Sequence, residues 1–441
     1  MLSIGHRKNG VNAYQTLPLP RKPELLAPGG SYEKARVAYL YGADAVYVGT
    51  REFNLRIQAK NLHDEQLAAL SFYAHRSAKK LYVVLNSLLR SEDLELLPPI
   101  LEYLQQIEVH GIIIADPALI DLARRHAPHV PLHLSTQVST TNHLAAQFWG
   151  RQGIHRINLA RELSLQDIAD IRSQTELQIE VFVHGSMCVS YSGRCLLSGV
   201  LTQRSANRGH CAQPCRWTYG LVEERRPGEI FPILQDSRGS YILNSKDLCL
   251  LEHLPCLIKL GVDAFKIEGR MKGVLYVAGV VRAYRRAIDQ CILEGLTMQP
   301  DDESWKDVHA VSHRPYTSGF LSLDAAEEAW AVAPSTSLVQ THTLGGIVRP
   351  LPPFLEQPRF PPPSESSVIH DWTCVEARSP LRPGDRLQFL FPDGRTIEHV
   401  ITAMEDLQGR SIHVAHPNTC FRLPLPFATF PLQVIRLPLM H

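Results

Sequence analysis

Four cysteines, Cys188, Cys195, Cys211 and Cys215, fall in one short window, whereas Cys249, Cys256, Cys291, Cys374 and Cys420 are scattered. The clustered four are spaced C-x6-C and C-x3-C. Four thiolates can hold a 4Fe-4S cluster, one sulfur per iron, or a tetrahedral zinc ion. Structural zinc more often uses C-x2-C knuckles, which this window lacks. A third reading is four buried structural thiols, since unligated Cys packs as a small hydrophobe. Gly185, Gly193 and Gly209 would let loops wrap closely around a metal. No Asp or Glu occurs from Val181 to Val222, while Arg194, Arg204, Arg208 and Arg216 are present. These arginines would offset an anionic thiolate cluster or contact phosphate. A solvated basic loop is the plain alternative.

The elements that must position this window alternate short apolar runs with helical patterns. Strands are predicted at Glu24–Ala27, Ala45–Val48, Leu81–Leu85, Gly111–Ala115, Leu132–Ser135, Arg156–Leu159, Gln178–Val183 and Ala264–Ile267. Eight such units need crossovers and a parallel sheet, and eight favour a closed α/β barrel of the TIM-like (β/α)8 kind over an open sheet. The strands finish in polar residues, among them Asn86, Asp116, Gln137, Arg161, His184 and Glu268. In barrels that edge carries the active site. The cysteines lie in a connection of about 80 residues between the seventh and eighth strands, where about 30 would suffice.

His184, Glu268 and Asp116 are the candidate catalytic proton carriers at this edge. Each has a structural alternative: a loop hydrogen bond for His184, pairing with Arg270 or Lys266 for Glu268, and capping of the helix after Pro117 for Asp116. Arg270 and Lys272 join the four loop arginines as candidate RNA-binding residues. Arg282, Arg285 and Arg286 lie outside the apolar stripe of a helix over 274–295 and read as a phosphate grip or a solvated face. Tyr191 and Trp217 could stack on bases or cover the cysteines. Cys249 could substitute for one of the clustered ligands, but it sits in a helix-like stretch and reads as core.

The domain plan is an N-terminal arm (1–22), a barrel (23–330) with a Cys-rich insertion (185–245), and a small β-barrel-like domain (331–441). The last contains a Pro-rich segment at 350–367, and Leu344–Val348, Leu387–Phe391 and Thr396–Ala403 are its predicted strands. The apolar fraction of 44% is ordinary for a globular protein, and a net charge of +1 excludes a general polycation. No apolar run approaches the roughly 20 residues of a membrane span, and Met1–Arg21 has no hydrophobic signal core. The chain therefore reads as cytoplasmic, with no membrane contact. No G-x-S-x-G or H-E-x-x-H motif supports proteolysis.

Several segments together resemble the signature of peptidase family U32, the collagenase-like family. They are Glu180–Cys188 (EVFVHGSMC), Ser192–Ser198 (SGRCLLS), Asn207–Arg216 (NRGHCAQPCR), Glu24–Gly30 (ELLAPGG), Gly42–Gly49 (GADAVYVG), Lys266–Lys272 (KIEGRMK) and Arg314–Phe320 (RPYTSGF). The resemblance implies an RNA-modifying iron–sulfur protein on a (β/α) barrel. It is most similar to the tRNA members, which help make 5-hydroxyuridine at the wobble position in the anticodon loop. Other members act on an rRNA cytidine or in ubiquinone hydroxylation, and the family name carries a protease assignment. The resemblance further implies Cys188, Cys195, Cys211 and Cys215 as cluster ligands, prephenate as hydroxyl donor or required metabolite, tRNA as partner, and an electron-transfer partner. In the ubiquinone members the fourth cysteine falls at a position matching about Gln235; here Cys215 takes that place.

Overall fold

The computed structural model describes residues 21–56, 59–188, 190–217, 234–236, 239–241, 246–297, 299–321, 338–350 and 371–439. The N-terminal arm and the Pro-rich connector lie outside them except for Arg21, Lys22 and Pro350.

Eight parallel strands form one closed ladder: β1 (Glu24–Pro28), β2 (Ala45–Gly49), β3 (Lys80–Leu85), β4 (Gly111–Ile114), β5 (Leu132–Leu134), β6 (Ile154–Asn158), β7 (Gln178–Ser186) and β8 (Ala264–Ile267). Each pairs with the next, and β8 closes the ring on both β7 and β1. These are the eight predicted runs. They read as mainly apolar stretches because both strand faces are buried, one by helices and one by the barrel interior. The crossover helices are α1 (Tyr32–Leu40), α2 (Asp64–Arg76), α3 (Leu97–Gln106), α4 (Ala118–His126), α5 (His143–Arg151), α6 (Leu165–Ser173), α7 (Leu254–Lys259) and α8 (Val274–Glu294). Ser31, Asn142 and Ser164 start α1, α5 and α6 with side-chain caps.

Alternation along the strands sorts the residues. Leu25, Val46, Val48, Leu81, Val83, Ile112 and Ile114 belong to the core that includes the helices. Leu26, Ala45, Tyr47, Tyr82, Val84 and Ile113 form a separate inner cluster. Beneath it lies a buried charge chain. Arg156 Nη1 is 2.6 Å from Glu24 Oε1 and 3.4 Å from Glu180 Oε2, and Lys266 Nζ is 2.8 Å from Glu180 Oε1.

The insertion leaves β7 at the C-terminal end of the barrel. It forms 3₁₀ turns, a short helix at Leu197–Thr202, and a strand at Asp247–Cys249 that runs antiparallel to the end of β7. That strand corrects the helical expectation for Cys249, which is buried in the core as predicted.

A six-stranded antiparallel sheet follows: β9 (His342–Val348), β10 (Asp371–Ala377), β11 (Arg386–Leu390), β12 (Thr396–Val400), β13 (Cys420–Leu425) and β14 (Val434–Pro438), ordered β12-β11-β14-β9-β10-β13. It has its own core, including Val375, Leu387, Phe389, Phe421 and Ile435. It locks onto the barrel through α8. Asp307, on α9 (Asp302–Ala310), receives Arg282 Nε at 2.6 Å and Arg436 Nη1 at 2.9 Å. This corrects the exposed-face reading of α8. Arg282 is fully buried, Arg285 pairs with Asp44 and Asp289, and Arg286 pairs with Asp301. A periodicity argument misses them because the β domain covers the polar flank of the helix.

Asp307→Ala would leave two buried guanidinium groups without their shared carboxylate. The expected loss is about 3–5 kcal/mol of unfolding free energy, read from urea denaturation. A change within about 0.5 kcal/mol, as for an ordinary surface site, would refute this role.

Candidate active site

The mouth of the barrel is a cavity whose floor and walls come from strand ends: Tyr47, Val84, Ile113, Asn158, Phe182, Lys266 and Glu268, with Asn86, Ser135 and Gln137 just beyond β3 and β5. Leu55 and Arg56 come from the loop after β2, and Arg161 and Arg270 from the loops after β6 and β8. The insertion forms the roof, and Cys188, Cys195, Cys211 and Cys215 all line this same cavity.

The roof is held by specific contacts. Gly185 has φ +111°, and a Cβ there would lie 2.5 Å from the Glu268 carbonyl oxygen, so only glycine can carry the chain out of β7. Ser192 donates from N and Oγ to the two oxygens of Glu162, both at 2.6 Å. The Cys195 N–H donates to Asn207 Oδ1, and the Gln213 N–H donates to Cys211 Sγ at 3.4 Å. Arg208 clamps the roof to the loop before α3 through Asp93, at 2.8 and 3.2 Å.

The four thiols carry no disulfide. Among the described residues no group of three or more His, Cys, Asp or Glu side chains is gathered as a site for a metal ion. By chemical type alone, the donor set suits an anionic iron–sulfur group. It has four sulfurs on one cavity, an N–H donor at one of them, and nearby guanidinium groups to offset negative charge.

Glu268 is the cavity's carboxylate. Its Oε1 lies 3.5 Å from Arg56 Nη2, and the Tyr47 hydroxyl is 3.4 Å from Oε2. Burial is the largest influence and pushes its pKa up, but Arg56, Arg161, Arg270 and Lys266 together outweigh it. The carboxyl is therefore held below its usual range and is ionised at neutral pH. Arg270 is 4% exposed and its Nη1 has no hydrogen-bond partner. Burial, followed by the neighbouring Arg56, drives its pKa down to about 10. Gly49 makes room for it, because a Cβ there would sit 2.4 Å from Arg270 Nη1.

Of the residues expected from sequence, the four cysteines, Glu268 and Arg270 meet at this cavity. The others lie elsewhere. His184 is turned away because the β7–β8 register shifts between Lys266 and Ile267, so that Lys266 pairs with Phe182 but Ile267 pairs with His184. A one-residue shift moves a side chain to the other face, and His184 Nδ1 meets the Tyr284 hydroxyl of α8 at 3.3 Å. Asp116 accepts the N–H groups of Leu89 and Ala118, a capping and bracing role. Lys272 donates to the Ser312 carbonyl and lies over the Tyr276 ring. Arg208 is occupied by Asp93, while Arg194 and Arg204 are exposed on the roof. The Arg216 side chain lies outside the described residues. Sequence reasoning did not name Arg56, Arg161, Gln137 or Asn158 as site residues. A polar residue within or just past an apolar strand was the available signal for the last three; Arg56, in a loop, offered none.

The architecture is a (β/α)8 barrel with a thiol-roofed mouth, joined to an antiparallel β domain. The chain belongs to peptidase family U32: that family's sequence model matches residues 30–331, and the model of the U32 C-terminal domain matches 365–436. It is 33% identical over 419 residues to tRNA hydroxylation protein P1 of Bacillus subtilis, covering 95% of each chain. It is 33% identical over 449 residues to tRNA hydroxylation protein P of Escherichia coli, covering 92% of this chain and 94% of that one. A 23S rRNA 5-hydroxycytidine synthase of Escherichia coli is 39% identical over 271 residues, 62% of this chain and 40% of that protein. No helix among the described residues is long and apolar enough to cross a membrane.

The burial of His184 has a measurable outcome. Burial, the largest influence, lowers its pKa to about 3 from 6.5, with Asp247 opposing. Above 6.5 the ring is neutral whether the chain is folded or not. As pH falls from 6.5 toward 3, the unfolded chain takes up a proton that the folded chain refuses, so stability declines. At pH 5 this amounts to about 2 kcal/mol. His184→Phe is expected to shrink the difference in unfolding free energy between pH 7 and pH 5 by about that amount. An unchanged difference would contradict it.

Proposed function

We propose that this chain is an enzyme that hydroxylates RNA, converting a tRNA wobble uridine to 5-hydroxyuridine, with a 4Fe-4S cluster held by Cys188, Cys195, Cys211 and Cys215. The observation that carries the reading is the meeting of four thiols, an ionised Glu268 and Arg270 at one barrel-mouth cavity. The names of the similar proteins, which refer to tRNA hydroxylation and rRNA 5-hydroxycytidine, support the reaction class.

Adding oxygen at a pyrimidine C5 exceeds what side chains do alone, and a bound cluster would supply the redox or Lewis-acid chemistry. The chain's own residues handle binding and protons. The target base enters from a single-stranded loop, as bases must when chemistry is done on them. Glu268 Oε2, beside the Tyr47 hydroxyl, takes the proton lost from the base. Arg56, Arg161, Arg270 and Lys266 place more positive charge around the cavity than Glu268 balances. They suit a dicarboxylate such as prephenate, the proposed hydroxyl donor. Exposed Arg194 and Arg204, together with exposed Tyr191, Leu196 and Trp217, provide cationic and stacking contacts for an anticodon loop. Hydroxylation withdraws two electrons from the base, and a separate electron-transfer protein is the proposed partner that exchanges electrons with the cluster. Peptidase chemistry gains nothing from this arrangement, since His184 is occupied behind the barrel wall.

Mass spectrometry of tRNA nucleosides tests the reading. A deletion strain should lose 5-hydroxyuridine derivatives and regain them with the wild-type chain but not with Cys211→Ala. Glu268→Gln should slow their formation by about 10²- to 10⁴-fold. Anaerobically purified protein should carry iron and sulfide. Stoichiometric zinc would overturn the cluster assignment, and unchanged tRNA with lost rRNA 5-hydroxycytidine would move the substrate to rRNA.

A further inference from the structure

Buried polar atoms normally have partners, and one left without calls for an explanation. Four such atoms belong to residues lining the cavity: Gln137 Nε2, Asn158 Oδ1, Arg161 Nε and Arg270 Nη1. Gln137 and Asn158 are each 2% exposed and sit at the ends of the adjacent strands β5 and β6. The amide of Gln137 has one orientation. Asn86 Nδ2 donates to its Oε1 at 2.7 Å and the Ser135 hydroxyl donates to the same oxygen at 3.2 Å, so its N–H group is left over. Arg161 is held by Nη1 on the Ser186 carbonyl, with its guanidinium 4.4 Å from the Phe182 ring centre. Residues lining the cavity thus carry three unpartnered donor atoms and one unpartnered acceptor.

Among the nucleobases, a pyrimidine uses the most of that inventory. The Watson–Crick edge of a pyrimidine, uracil or cytosine, asks its site for two donors and one acceptor. Guanine asks for two acceptors and one donor, and adenine for one of each. We infer that Gln137 and Asn158 form a base-reading pair that selects a pyrimidine: Asn158 Oδ1 accepts the ring N–H or amino hydrogen, and Gln137 Nε2 donates to the neighbouring carbonyl oxygen or ring nitrogen. Arg161 or Arg270 supplies the second donor. Asn86 and Ser135 are positioning residues that keep the Gln137 amide from flipping. The inference rests on the RNA-hydroxylation reading and deepens it, assigning base choice to the barrel floor rather than to the cysteine roof.

The test measures binding, not turnover. Anticodon stem–loops carrying uridine, cytidine, guanosine or an abasic site at the wobble position are titrated against the anaerobically purified full chain. Wild-type protein should bind the uridine and cytidine loops more tightly than the guanosine and abasic ones. Gln137→Met and Asn158→Leu should each weaken the pyrimidine loops by about three- to tenfold, bringing them toward the abasic loop. If Gln137→Met does not fold, Gln137→Glu keeps the acceptor held by Asn86 and Ser135, removes the free donor, and should lose the preference likewise. Variants that retain the full pyrimidine preference overturn the inference and leave RNA hydroxylation standing. Wild-type protein that binds no stem–loop overturns the RNA reading itself.

Discussion

Closing eight parallel strands into one ladder leaves alternate side chains no route except the barrel axis, and the mouth follows from how those positions are filled. At the lower level the chain spends charge: Glu24, Arg156, Glu180 and Lys266 form a linked series in which each ion has an opposite neighbour. Such a series is costly to desolvate and gains little stability over apolar packing. Its effect here is positional. Lys266 is tethered to Glu180 from below, so its ammonium is fixed beneath the Tyr47 and Phe182 rings, 4.7 and 5.4 Å from their centres. The cavity floor is thereby built on an electrostatic foundation that cannot rotate freely.

Above that level the charge becomes one-sided. Three guanidinium groups surround a single carboxylate, and the insertion residues that line the cavity contribute thiols but no acid. A buried site with this imbalance is completed by anions. Thiolates, phosphates and carboxylates all qualify, so the same residues serve a metal centre, an RNA backbone or an acidic small molecule, depending on depth in the cavity.

The strands were legible because a doubly covered strand is mainly apolar, and the cysteine window was legible from spacing alone. Glu268 and Arg270 could be found as polar residues at the eighth strand's exit. His184 occupies the same kind of position and was misplaced, because the register shift opposite Ile267 has no signature in residue type. Arg282 was misplaced for a different reason: its partner Asp307 and its cover, Arg436 and the Arg395 carbonyl, are distant in sequence. Local periodicity reports which face of a helix meets its own strand. It cannot report a second domain arriving on the other side. Gln137 and Asn158 look like ordinary strand-end amides until the atoms around them are counted.

Gly30 sits where a Cβ would fall 1.8 Å from the carbonyl oxygen of Arg270, so the turn after β1 is sewn directly to the exit of β8. The seam therefore joins the beginning of the barrel to its end, with Leu26 in register with Lys266. During synthesis β1 must wait for that partner until the whole Cys-rich insertion has left the ribosome. A nascent chain at that stage presents an open sheet edge and four unroofed thiols together, the combination most exposed to aggregation and oxidation. Barrel closure removes that open edge.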